Sequence, residues 1–215
     1  MLNSLTTQAA LAALATSAIA TSSIAGISTY IDDVSRIQDP TNHANFNGLV
    51  DEQTLENYTE DGLLLNVNRS YFSWDAPGLD GSEMYYASTG SLGLIDISLV
   101  SGDDFDDVDM QLASGWVQDE IDTMYLWVQL YDNGGLVEEL NIDMMAGDYL
   151  AMTGGGFDQI RIGSYATEEI RDSRNPIARN AIAIDNVSVG TYVPVPAPGT
   201  LAISSIALIG LRRRR

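Results

Sequence analysis

Across residues 124–131 the chain alternates strictly: Met124, Leu126, Val128 and Leu130 are interleaved with Tyr125, Trp127, Gln129 and Tyr131. A repeat of two is the period of a strand, whose successive side chains point to opposite faces; a helix would need apolar residues three or four apart. Asp132-Asn133-Gly134-Gly135 follows at once, a turn signal of the kind that closes a hairpin, and residues 136–142 supply the partner strand. Shorter runs of the same kind occupy residues 62–68, 84–88, 92–99, 105–112, 157–163 and 181–189, separated by turn-forming pieces such as DAPGLDG, SGDD and TGGG. About eight short strands at this spacing predict an antiparallel sandwich, with Met124, Leu126, Val128 and Leu130 in its core.

Composition narrows the chemistry. The 215 residues suit one domain with short terminal segments, and 45% hydrophobic residues are enough for a real core. There are ten basic and thirty acidic residues, and every basic one is an arginine. Four of those arginines form the C-terminal block, so the rest of the chain is more acidic still, and such a surface repels DNA, RNA and anionic lipid. Nucleic acid is thereby excluded as a partner. Cysteine is absent, which removes thiol catalysis, disulfides and thiolate metal sites together. His43 is the only histidine, so a catalytic triad or a multi-histidine zinc site is excluded on inventory.

The two ends differ from the body. Residues 5–26 are small, apolar and uncharged, as in the apolar and cleavage regions of a secretory signal, with Ala18-Ile19-Ala20 as an A-x-A site; no basic residue precedes Arg36. At the other end, a proline ladder leads into an apolar stretch over residues 201–211, followed by Arg212, Arg213, Arg214 and Arg215. That stretch is shorter than the roughly 20 residues a spanning helix needs, and the arginines would stay on the cytoplasmic side. The order Val193-Pro194-Val195-Pro196-Ala197-Pro198-Gly199-Thr200-Leu201, short apolar helix and arginine cluster resembles the PEP-CTERM sorting signal. In that family a Pro-Glu-Pro motif, a short transmembrane helix and a basic tail are recognised by exosortase, a membrane protease-transpeptidase. Here Ala197 stands where the family's glutamate usually is. The resemblance implies export through the inner membrane of a Gram-negative bacterium to the cell surface or extracellular matrix, with exosortase as a partner and exopolysaccharide as a candidate ligand.

The body carries a second resemblance. SGDDFDDVDMQLASGW from Ser101 and NAIAIDNVSVG from Asn180 are similar to the middle and last strands of the jelly-roll domains often found ahead of such tails, and ANFNG with NYTEDGLLLNV, from Ala44, to their opening strand and the one after it. Those domains share the architecture of galactose-binding-like carbohydrate-binding modules. The expected organisation is therefore a signal peptide over residues 1–25, an all-β jelly-roll sandwich over 27–190 and a sorting segment over 193–215. The resemblance also implies one structural Ca²⁺ between the first and last strands, with Asn47 and Asp185 at the matching places and backbone carbonyls as further ligands; otherwise Asp185 is a turn residue.

Three further groups of residues bear on function. Asp103, Asp104, Asp106, Asp107 and Asp109 are crowded but do not fit a calcium-loop motif, because Phe105 and Val108 fall on ligand positions; a solvated acidic face is expected, with Asp107 and Asp109 on one side of a strand and Val108 and Met110 on the other. Gly154-Gly155-Gly156-Phe157-Asp158 is a single copy with the wrong spacing for a calcium β-roll. Tyr125, Trp127 and Tyr131 share the outward side of one strand with Gln129, where flat rings make a platform for sugar rings unless a loop or neighbouring side chains cover them. Thirty acidic residues guarantee carboxylate pairs by chance, so a pair by itself argues little for glycoside hydrolysis. A non-enzymatic exported surface or matrix protein is the first expectation; a secreted carbohydrate-active enzyme using an acidic pair on the sandwich is the alternative.

Overall fold

The computed structural model describes residues 26–47, 49, 55–73, 84–87, 93–114 and 123–193. They form strands β1 (Ser28–Asp32), β2 (Ile37–Ala44), β3 (Leu55–Glu60), β4 (Leu63–Ser73), β5 (Tyr85–Ala87), β6 (Leu94–Leu99), β7 (Asp107–Ser114), β8 (Thr123–Asp132), β9 (Gly135–Met145), β10 (Tyr149–Thr153) and β11 (Gln159–Tyr165). A short helix α1 (Glu168–Asp172), a 3-10 turn (Pro176–Ala178), β12 (Arg179–Asn180) and β13 (Ile182–Tyr192) complete the order. All pairings are antiparallel.

The strands make a β-sandwich. In one sheet the order is β1-β10-β7-β13, with β2 on the far edge of β13 along Val187–Tyr192. In the other it is β3-β4-β6-β11-β8-β9, with β12 continuing the β6 edge of β11. Strand β5 joins the two at one corner, pairing with the end of β4 on one side and with Ile182–Ile184 on the other. Successive strands mostly change sheet, from β6 to β7, β7 to β8, β9 to β10 and β10 to β11.

Alternation decides which residues meet between the sheets. Val108, Met110 and Leu112 of β7, Leu150 and Met152 of β10, and Ile182, Ile184, Val187 and Val189 of β13 pack in one buried cluster with Leu63, Leu65, Ile95, Ile97, Ile160 and Ile162 from the opposite sheet. Met124, Leu126, Val128 and Leu130 belong to that cluster and are at most 2% exposed, as the alternation predicts. Each such side chain contributes about 1.5–3 kcal/mol on burial, so the shared core is what holds the two layers together. The outer side of the first sheet is covered as well: Met84, Ala113, Ala181 and Ala183 form a second, smaller buried cluster there. Two-sided burial accounts for the nearly continuous apolar reading of residues 181–184.

The hairpin at residues 132–135 forms as expected. Asp132 pairs with Gly135, and Asn133 and Gly134 between them both have positive φ (49° and 77°), a two-residue turn whose twist matches that of the strands. One strand assignment is corrected. The ANFNG run is not an opening strand: β2 ends at Ala44, and Phe46 turns the chain with φ of 57° while its ring is fully buried against Tyr58 and Tyr85. The expected signal segment over residues 1–25 and the sorting segment beyond Val193 lie outside the described residues. Among those that are described, no helix is long and apolar enough to cross a membrane. Val193 donates its backbone N–H to the Arg36 carbonyl at 3.0 Å, tying the end of β13 to the β1–β2 connection.

Candidate functional site

Strand β8 presents Tyr125, Trp127, Gln129 and Tyr131 on its outer side, all half-buried, opposite the buried Met124, Leu126, Val128 and Leu130. The register places Asn141 beside Trp127 and Glu139 beside Gln129 on β9, and Gly163 beside Trp127 and Arg161 beside Gln129 on β11. The three aromatic residues expected to share a face therefore do so, in one row along a single strand.

An arginine lies over every ring of that row. Arg161 is 5.4 Å from the Tyr131 centroid, Arg171 is 5.9 Å from that of Tyr125, and Arg174 and Arg179 are 5.5 and 5.6 Å from that of Trp127. All four distances fall within the range at which a guanidinium is attracted to an aromatic quadrupole. The open platform drawn from the strand pattern is thus in fact a row of rings with cations above them.

Three of these arginines come from residues 166–180, which cross over β8 after β11. Thr167 caps α1 by accepting from the Ile170 N–H at 3.3 Å, and the Glu168 and Glu169 carboxylates sit in the first turn, where they complement the helix dipole. The helix stops after one turn because Arg174 adopts φ of 54°, with its N–H bonded to the Arg171 carbonyl. A left-handed residue that is not glycine costs about 1–2 kcal/mol. Here the Arg174 side chain is held at both ends, NH1 on the Arg171 carbonyl at 3.0 Å and NH2 on Glu139 Oε1 at 2.9 Å. Asn175 caps the 3-10 turn, and Pro176 begins it where no N–H is needed.

A chain of hydrogen bonds starts at Tyr131. Tyr131 Oη donates to Gln129 Oε1 at 2.6 Å, and Gln129 Nε2 donates to Glu139 Oε2 at 2.8 Å. Partial burial works against the Glu139 carboxylate, but the bonds from Gln129 and Arg174 outweigh it and hold its pKa below the usual glutamate value. Arg171 has a side chain only 5% exposed and is ion-paired with Asp143, Asp172 and Glu168. Arg161 pairs in bidentate fashion with Asp96, at 2.6 and 3.0 Å.

The acidic stretch behaves differently from the solvated face expected of it. Asp103, Asp104 and Asp106 are exposed, but Asp109 is only 1% exposed and Asp107 is half-buried. Asp109 Oδ2 accepts from Ser35 Oγ, the Arg36 N–H and the Ile37 N–H at 2.8, 2.8 and 3.2 Å, which fastens the β1–β2 connection across β7. Asp107 accepts from the Gly154 and Tyr192 N–H groups. Both carboxylates are staples for backbone N–H groups that the ladders leave over, a use of aspartate that a charge count cannot reveal.

The calcium candidates occupy contrasting places. Asp185 is fully buried where β13 bulges, its Oδ1 accepting from the Asn186 N–H at 2.7 Å, while Asn47 is exposed in the turn after β2. Since Ala44 pairs with Val187, the chain beyond Ala44 runs toward the Asp185 end of β13. No group of three or more histidine or acidic side chains suited to a metal occurs among the described residues, so most oxygens around such an ion would be backbone carbonyls and water.

No family model matches the chain, and no curated protein matches it. Among solved structures it is similar to the CBM22-1 xylan-binding domain of Paenibacillus barcinonensis Xyn10C, at 9% identity and a TM-score of 0.40, covering 74% of this chain and 100% of that one. The CBM22-2 xylan-binding domain of the same protein gives 9% identity and 0.37, covering 69% and 98%. The CBM22-1–GH10 modules of Clostridium thermocellum Xyn10B, complexed with xylohexaose, give 15% and 0.36, covering 74% and 30%. At these scores the likeness fixes no site, and the reading of this one rests on its own geometry.

Proposed function

We propose that this chain is an exported, non-enzymatic jelly-roll protein of the cell surface or matrix that holds polysaccharide on the outer face of β8. The observation that carries the reading is the row Tyr125, Trp127 and Tyr131, half-buried on one strand, with Gln129 bonded to Tyr131 and Glu139 among them. Sugar rings offer C–H faces to π surfaces, and an amide and a carboxylate in fixed orientation can take their hydroxyls. The arginines over the rings hold these side chains in place, so the surface is ordered before a ligand arrives and loses less entropy on binding.

Affinity electrophoresis of the full chain through gels cast with individual polysaccharides tests the reading. Retardation by at least one polysaccharide, lost in Trp127→Ala while the variant still melts cooperatively, supports it. If no gel retards the wild type, or Trp127→Ala is retarded equally, the row is a structural fastening for residues 166–180 and the reading fails. Turnover of any of those polysaccharides would instead favour the carbohydrate-active enzyme.

Delivery rests on residues 193–215, whose proline ladder, apolar run and four arginines have the order of a PEP-CTERM signal read by exosortase. Mass spectrometry of protein recovered from the matrix should find the terminal arginines removed; an intact block there contradicts sorting. A structural Ca²⁺ at Asn47 and Asp185 completes the reading. Calcium should raise the Tm of the wild type but not of Asp185→Ala, and a Tm indifferent to calcium and chelator removes the ion.

A further inference from the structure

Arg179 is unlike the other arginines whose side chains are described. Every other arginine whose side chain is described is ion-paired: Arg36 with Asp32, Arg161 with Asp96, Arg171 with Asp143, and Arg174 with Glu139. Arg179 alone, among the described residues, meets no carboxylate; its Nε lies 3.4 Å from Tyr165 Oη, at the long end of a hydrogen bond, and its two terminal nitrogens have no partner there. In a chain with thirty acidic residues and a net charge of −20, an arginine with no acid beside it among the described residues is an exception.

The surroundings of Arg179 are specific. It belongs to the two-residue strand β12, registered against Tyr165, and its guanidinium lies over Trp127. Its stem passes Gly163, the residue beside Trp127: a Cβ there would come within 3.6 Å of Arg179 Cδ and 3.1 Å of Leu94 Cδ2, so glycine leaves the space the stem uses. Arg174 approaches the same indole, but its charge is already balanced by Glu139.

We propose that Arg179 reads an anion on the ligand: it pairs with the carboxylate of a uronic acid in an acidic polysaccharide, while Trp127 beside it packs on the sugar ring. A guanidinium presents a planar fork that fits a carboxylate with two parallel bonds, and stacking on an indole leaves the edge of that fork available. The acidic charge of the chain repels polyanions, so recognition of a uronate needs a local cation, and among the described residues Arg179 is the arginine free of an acid. The inference rests on β8 being the polysaccharide face and adds the chemical class of the ligand.

Calorimetric titration of the full-length protein tests it with three probes: hexagalacturonate, its methyl ester, which keeps the sugar and removes the charge, and neutral xylohexaose. Hexagalacturonate should bind at least tenfold more tightly than either neutral probe, and Arg179→Gln should remove that advantage while Arg179→Lys retains part of it. The ester comparison needs no substitution, so it decides the matter even if Arg179→Gln folds poorly. Equal affinity for hexagalacturonate and its ester, or an advantage unchanged in a folded Arg179→Gln, overturns the proposal and leaves the polysaccharide face standing. Binding of none of the probes by a protein that gels do retard overturns the uronate class alone. Binding of none, with no retardation either, overturns both.

Discussion

Asp109 shows how one residue can be misjudged by its neighbours in sequence. It lies in a run of five aspartates, yet it is buried and accepts three hydrogen bonds through a single oxygen, while Oδ1 has no partner among the described residues. Burial is the largest influence on its pKa and pushes it up, against the bonds from Ser35, Arg36 and Ile37. Removing the acceptor should cost more than removing the charge. Asp109→Ala, which strands three donors, is expected to lose about 2–4 kcal/mol, and Asp109→Asn at pH 7, which keeps an acceptor, to stay within about 1 kcal/mol of the wild type; urea melts compare them. Asp32 has the opposite sign. The bond from Arg36, at 2.7 Å, lowers its pKa more than burial raises it. A lowered folded-state value stabilises above the unfolded carboxylate pKa of about 3.9, and that stability disappears as pH falls through the folded value. The Tm deficit of Asp32→Asn should therefore be full at pH 6 and vanish in strong acid. A deficit that persists at low pH would mean that packing, not the ion pair, is at stake.

At the scale of elements, legibility followed from how each strand is buried. Strand β8 has one face in the core and one outside, so its period of two is plain, and the Asn133-Gly134 turn fixes its hairpin. Gly134→Ala places a Cβ at φ of 77° in open space and should cost about 1–2 kcal/mol from backbone strain alone, without altering the core; a change smaller than about 0.3 kcal/mol in a chemical melt would contradict this. Strands β1, β2 and β10 were not legible. Strand β2, IQDPTNHA, contains a proline and is mostly polar, which suits its place beside β13 alone at a sheet edge. Strand β10, YLAMT, is buried at three consecutive positions, so no alternation marks it. Helix α1 is too short for a helical period and is fixed by Thr167 and by the packing of Arg171. The aromatic half of the site was legible because it lies on β8. The arginine half was not, because Arg161, Arg171, Arg174 and Arg179 follow some thirty to fifty residues later and reach the rings only through the fold.

Over the whole molecule, the charge pattern acquires a purpose. Without lysine, and with six arginines ahead of the terminal block, the chain has few cations to place. Four of them stand over one strand of one sheet. Carboxylates elsewhere serve backbone N–H groups, as Asp107, Asp109, Asp61 and Glu60 do, so the sandwich needs few ion pairs to hold its loops. The result is an acidic body with one strip where arginines, their carboxylate partners and aromatic rings are gathered, and the central claim is that this strip meets polysaccharide. Resonances of the indole N–H groups test that most directly. The protein has three tryptophans, Trp74, Trp116 and Trp127, and Trp127→Phe identifies the signal of the third. Titration of the ¹⁵N-labelled full chain with hexagalacturonate should shift the Trp127 signal progressively to saturation. A Trp127 signal that stays fixed while the sugar binds, or while another tryptophan responds, would contradict the account.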